Sequence, residues 1–272
     1  MTVRTLTTTD HGPLVFEQHG RGPPLLLLHG FSHDRTLWTI TGWVAALAPW
    51  FTVFTVDLRG CGQSLAPRTP TAYTLDQHIA DIEALVETVG AADIQIFGWS
   101  FGGTLGLHLL RRLPAVRRAV IAGTFVGQVF TPARLTPEIA HLTELHAAQA
   151  GGDLDSRSLS PGWRAFLART HLPTYLARLR GCLSWPALTP ADLTKPVLLY
   201  TSTADTYVFP QIQAQAAAIQ AMGARVHIFP GLTHRELVTA RESVSPLVVS
   251  FLRETPSGQE ANTVVPRHTA TE

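Results

Sequence analysis

Pro24 to Leu28 is an unbroken apolar run that ends at His29-Gly30. A strand that is apolar on both faces persists only where both faces are covered, as in a parallel sheet layered between helices. The rest of the chain repeats that theme. Strand signals are read at Leu14 to Glu17, Phe51 to Val56, Asp93 to Phe97, Arg118 to Ala122, Val197 to Thr201 and Arg225 to Phe229. Helical patterns fall between them, at Thr36 to Ala48, Thr74 to Gly90, the stretch after Ser100 to about Arg112, Pro210 to Met222 and Arg235 to Leu252. Thr74 and Gln77 have the spacing of a capping box at the start of the second helix. Regular strand–helix alternation predicts a doubly wound parallel sheet.

The rhythm breaks between 124 and 194. Three short helical patterns are read there, at Thr136 to Ala150, Pro161 to Thr170 with Ser160 as N-cap, and Thr174 to Leu183, and no strand. The expected organisation is therefore a core of 1–123 and 195–253, a helical cap insertion over 124–194 and a polar C-terminal tail over 254–272.

Composition narrows the partners. Lys plus Arg is 21 against 20 for Asp plus Glu, and charged residues make up 15% of the chain. Nucleic acid is not expected as a partner, because phosphate binding needs clustered basic residues. Lys195 is the only lysine, and no phosphate-loop motif is present. Two cysteines, Cys61 and Cys182, supply neither a disulfide framework nor a four-ligand zinc site. No cofactor and no metal are expected. No apolar run approaches the roughly 18 residues of a membrane span, so the expectation is a cytoplasmic protein without a membrane partner. Oligomeric state is not legible.

The chemistry-bearing residues collect at predicted strand ends. Gly98-Trp99-Ser100-Phe101-Gly102 is a G-x-S-x-G between a predicted strand and a predicted helix. A sharp strand-to-helix turn leaves no room for flanking side chains, hence the glycines, and it lifts the serine hydroxyl clear of the backbone. A serine needs a base, and the base an orienting acid. His234 follows the last predicted strand, and Asp205 follows the strand at 197–201. Both would lie at the sheet edge where open α/β sheets place their sites. The order Ser100, Asp205, His234 suits a hydrolase triad, although Asp205 capping the next helix and His234 as a surface residue are the plain alternatives. His33-Asp34 can reach a polar substrate group or cap a helix, and Cys61 reads as packing or as a thiol near the site.

With these motifs in hand, the chain resembles the α/β-hydrolase-fold superfamily, specifically a serine hydrolase of esterase or lactonase type with a small helical cap. His29-Gly30-Phe31, Asp57-Leu58-Arg59-Gly60-Cys61-Gly62-Gln63-Ser64, the turn at Ser100 and the Asp205 and His234 loops carry the resemblance over about residues 12 to 253. It implies a mostly parallel eight-stranded doubly wound sheet. It also implies an oxyanion hole from the backbone N–H groups of Phe31 and Phe101, and structural roles for His29 and Asp57. Two positions depart from the family pattern. Ser202 stands where a glycine usually precedes the acid, and Thr233 where a glycine often precedes the histidine.

The expected function is cleavage of a small, largely apolar carboxylic ester or lactone through an acyl-enzyme, with Trp99, His33, Phe125, Phe130 and Trp163 as candidate pocket residues. Carbon–carbon bond hydrolases, perhydrolases and lyases share these motifs. A non-catalytic ligand-binding protein of the same fold is the alternative from another class.

Overall fold

The computed structural model describes residues 2–152, 154 and 159–254. Eight strands form one sheet: β1 (Thr2–Thr7), β2 (Pro13–His19), β3 (Pro24–Leu28), β4 (Thr52–Val56), β5 (Ile94–Trp99), β6 (Val116–Ala122), β7 (Val197–Ser202) and β8 (Arg225–Phe229). Their spatial order is β1-β2-β4-β3-β5-β6-β7-β8. β1–β2 and β2–β4 pair antiparallel, and every later pair is parallel.

β3 shows why the apolar run had to be buried on both sides. Leu26 and Leu28 enter the core on one face of the sheet, Leu25 and Leu27 the core on the other, and all four are fully buried. Each such side chain contributes on the order of 1.5–3 kcal/mol of burial. Helices α1 (Leu37–Ile40), α2 (Trp43–Leu47) and α10 (Arg241–Arg253) cover the second face, and α3 (Leu75–Thr88), α4 (Phe101–Arg112) and α8 (Val208–Ala221) the first.

β3 lies between β4 and β5, so the chain order reverses across it. A crevice opens at the carboxyl ends of strands at such a switch point. Loops after β3, β5, β7 and β8 all reach that edge.

Between β6 and β7 the described residues form α5 (Pro132–Gly151), α6 (Pro161–Arg169) and α7 (Leu172–Cys182), with no strand among them. α5 starts a turn earlier than the helical pattern suggested, because the Thr131 hydroxyl accepts from the Arg134 N–H and Pro132 occupies the first turn. Ser160 caps α6 through the Trp163 N–H, as expected.

Some local expectations fail for identifiable reasons. β1 was not read, since Thr2–Thr7 is an edge strand whose polar residues alternate with little burial beyond Leu6. The helix expected over 36–48 is two helices, broken at Gly42 with φ of 78°. That over 235–252 is likewise divided into α9 (Glu236–Thr239) and α10 at Ala240. At Thr74 the hydroxyl accepts from the Gln77 N–H, which is one half of the expected capping box. Of the tail expected over 254–272, residues beyond Glu254 lie outside the described residues. No helix among the described residues is long and apolar enough to cross a membrane.

Candidate active site

Ser100 sits between β5 and α4 with φ 56° and ψ −116°. A residue with a Cβ avoids this conformation, and the surrounding close packing holds it there. A Cβ on Gly98 or Gly102 would collide with backbone: Gly98 faces the Gly102 carbonyl, and Gly102 the Leu28 carbonyl. The flanking glycines are thus a packing requirement of the turn. The Gly102 N–H donates to the His29 carbonyl at 3.1 Å, tying the loop after β3 to the turn after β5.

That tie brings Phe31 to the serine. Phe31 and Phe101 line one cavity with Ser100, and their rings meet edge-on at 5.1 Å. Phe101 is the first residue of α4, so its N–H has no partner within the helix and sits at the positive end of the helix dipole.

The loops after β7 and β8 complete a hydrogen-bonded chain. His234 Nε2 is 3.0 Å from Ser100 Oγ, and His234 Nδ1 is 2.6 Å from Asp205 Oδ2. The second distance requires a proton on Nδ1, which leaves Nε2 to accept from the serine in the neutral imidazole. Burial opposes ionisation of Asp205 most strongly. The hydrogen bond and charge of His234, together with the N–H groups of Val208 and Tyr207, outweigh it and hold the carboxyl below its ordinary range.

Two contacts lock these loops. The Gly231 N–H donates to Thr203 Oγ1 at 3.0 Å, joining the histidine loop to the acid loop. Thr233 and Glu236 exchange hydrogen bonds at the start of α9: Glu236 Oε2 accepts from the Thr233 N–H and hydroxyl, and the Glu236 N–H donates to Thr233 Oγ1. The threonine where a glycine was expected therefore ties the histidine loop to the first residue of α9 on both sides of His234. Trp99 Nε1 donates to the His234 carbonyl at 3.1 Å and holds it from below.

The cavity over this chain has a volume of about 380 Å³. Phe125, Val129, Phe130, Leu135 and Leu179 supply its apolar lining, while Thr104, Thr124, Arg134 and Glu138 add polar groups.

The family of α/β hydrolase fold proteins matches over residues 23–148. The pimeloyl-[acyl-carrier protein] methyl ester esterase of Stenotrophomonas maltophilia (strain R551-3) is 31% identical over 243 residues, spanning 79% of this chain and 87% of that protein. The chain belongs to the α/β-hydrolase fold family. The enzyme of the same name from Vibrio campbellii (strain ATCC BAA-1116) is 34% identical over 101 residues, and that match spans only 36% of its length. Among solved structures, the enol-lactonase from Burkholderia xenovorans LB400 superposes with a TM-score of 0.74 at 23% identity, covering 92% of this chain and all of that one. At that identity the likeness speaks for the fold alone.

In this α/β-hydrolase, Phe125 and Phe130 lie in the cavity with Ser100, but three other candidate pocket residues do not. Trp99 follows the pleat of β5: Ile94 and Ile96 face one core, Phe97 and Trp99 the other, so Trp99 is buried beneath the turn. His33 packs on Trp99 at 5.1 Å and faces a neighbouring cavity. Trp163, on α6, packs against His141 and Phe166 and lines a third hollow. Tyr207, Arg134 and Glu138 were not foreseen. Only Tyr207 carried a signal, being two residues from Asp205; Arg134 lies ahead of the helical pattern read from Thr136, and Glu138 inside it.

The remaining motifs are structural. His29 Nδ1 donates to the Gly30 carbonyl and Nε2 accepts from the Leu58 N–H; burial lowers its pKa to about 3. Asp57 accepts from the Gln63 and Arg35 N–H groups and pairs with the Arg35 guanidinium, tying the turn that follows β4. Burial pushes the Cys61 thiol up to about 11, so it packs as a neutral group.

Proposed function

We propose that the protein is a serine hydrolase that cleaves a small, largely apolar carboxylic ester or lactone through an acyl-enzyme. An ester-cleaving hydrolase of this fold agrees with the name of its 31%-identical relative. The observation that carries the finer reading is the chain Ser100–His234–Asp205, closed at 3.0 and 2.6 Å on the floor of a cavity whose apolar wall is Phe125, Val129, Phe130, Leu135 and Leu179.

His234 Nε2 takes the hydroxyl proton as Ser100 Oγ attacks the carbonyl carbon. The oxyanion that forms points at the backbone N–H groups of Phe31 and Phe101. Collapse breaks the bond to the leaving oxygen, which takes the proton from His234. Water, deprotonated by the same imidazole, then releases the acid and regenerates the serine. Asp205 keeps Nδ1 protonated and stabilises the imidazolium. Residues 124–194 form a cap over the core of 1–123 and 195–253, and their Phe125, Phe130, Leu135 and Leu179 select the apolar part of the substrate. The cavity is at the small end of ligand sites, about 300–1,000 Å³, which favours short acyl or alcohol groups.

Hydrolysis of p-nitrophenyl acetate and butyrate tests the reading. Asp205→Asn is expected to lower kcat by about 10⁴ with the fold intact, because the amide no longer holds the productive imidazole tautomer. An unchanged rate moves the acid elsewhere.

A further inference from the structure

A second cavity, of about 440 Å³, lies on the other side of Phe31 and Tyr175, which wall both spaces. Part of its wall is Arg178, on α7, which is 4% exposed. Three other arginines are buried, and each has a polar partner. Arg35 pairs with Glu17 and Asp57, Arg59 with Asp81 and Asp10, and Arg118 donates to the Phe251 carbonyl. Arg178 differs: its Nε and Nη2 have no hydrogen-bond partner among the described residues.

Its guanidinium lies 4.0 Å from the centroid of the Phe31 ring. A cation–π contact of this kind engages the face of the group and leaves its in-plane N–H donors unmet. A buried cation with unmet donors is costly, and a fold bears that cost most readily where an anion binds.

The rest of the wall has the same sign. Arg68 and Arg169 join Arg178, and Ser32, whose hydroxyl is hydrogen-bonded to that of Tyr175 at 3.2 Å, lies beside them. The single carboxylate, Asp34, is already engaged by the Thr36 N–H and hydroxyl. His33 Nδ1 is a further buried atom without a partner among the described residues. Burial first, and then the charges of Arg169 and Arg235, depress the basicity of His33, which registers the positive field there.

We infer that this cavity binds the carboxylate or phosphate group of a small acid, with Arg178 as its buried anchor and Arg169 and Arg68 at its mouth. The site is separate from the ester cavity and does not depend on the reaction assigned there.

Thermal unfolding of the full chain, titrated with sodium phosphate or sodium succinate at ionic strength matched with sodium chloride, tests it. Wild type should show a saturable rise in Tm with at least one of the two anions, as expected when a ligand binds only the folded state. A response to phosphate alone assigns the site to phosphoryl groups, and a response to succinate alone to carboxylates. Arg178→Met should abolish the rise while keeping or raising the Tm of the free protein, because an unmet buried charge has been removed. Arg169→Gln, an exposed substitution, should weaken the apparent affinity about tenfold and is read by itself if the Arg178 variant does not fold. No saturable rise with either anion overturns the inference. So does an undiminished response in Arg178→Met, or an undiminished affinity in Arg169→Gln.

Discussion

Ser100→Ala is expected to lower ester turnover by about 10⁵–10⁶ while leaving the fold intact. That is on the order of 7–8 kcal/mol of transition-state stabilisation. The size follows from the hydrogen-bonded chain: without the serine oxygen, His234 and Asp205 have nothing to activate. For the same reason His234→Ala should cost about as much, and the double variant little more than either single one. Losses that instead multiplied would mean the two residues act independently. Ser100→Gly adds a structural control. It loses the same hydroxyl, but a residue at φ 56° has less strain without a Cβ. It should be as inactive as Ser100→Ala and more stable by about 1 kcal/mol, measured by urea unfolding. Equal stabilities would contradict the strain assigned to this turn.

Acidification from pH 7.5 to 5 should destabilise the fold by about 6 kcal/mol, through buried histidines outside the chain of Ser100, His234 and Asp205. Burial lowers the pKa values of His29 and His78 to about 3 and that of His108 to about 4. Each stays neutral in the folded state at pH 5, whereas the unfolded chain protonates each below about 6.5. The unfolded state therefore binds more protons over this interval, and stability falls as pH drops from 6.5 toward the folded values. At pH 5 each histidine accounts for about 2 kcal/mol. The sum is comparable with the whole stability of many domains, about 5–15 kcal/mol. Asp205, with its carboxyl held low, acts in the same direction at still lower pH, since its contribution is lost as it protonates. Urea unfolding at the two pH values measures the effect. His108→Leu should remove about a third of the difference, because His108 is buried and its Nδ1 has no partner among the described residues. A stability independent of pH between 7.5 and 5 would show that these imidazoles are charged or solvated in the folded protein.

The inner strands of the parallel sheet were legible because they are apolar on both faces, as Leu25–Leu28 show. β1 was not, since an edge strand rich in threonine needs little burial and resembles a polar terminus. Gly42 was passed over because glycine inside an apolar pattern signals a break only when its φ is known. For the candidate site, Ser100, Asp205 and His234 were legible from their loops, each following a strand at one sheet edge. Side-chain direction was harder to read. Trp99 adjoins the serine in sequence yet faces the opposite core, and Trp163 stands one hollow away from the cavity that Ser100 lines. Arg178 was hidden by its composition: in Leu176-Ala177-Arg178-Leu179-Arg180 both arginines look solvated, and only packing against Phe31 and Tyr175 separates the buried one.

Intact-mass analysis after treatment with a small fluorophosphonate, followed by peptide mapping, tests the central claim most directly. The account predicts one adduct, on Ser100, absent from Ser100→Ala and strongly slowed in His234→Ala. Folded protein that stays unmodified while remaining competent to hydrolyse p-nitrophenyl acetate, or an adduct on any other residue, would contradict it.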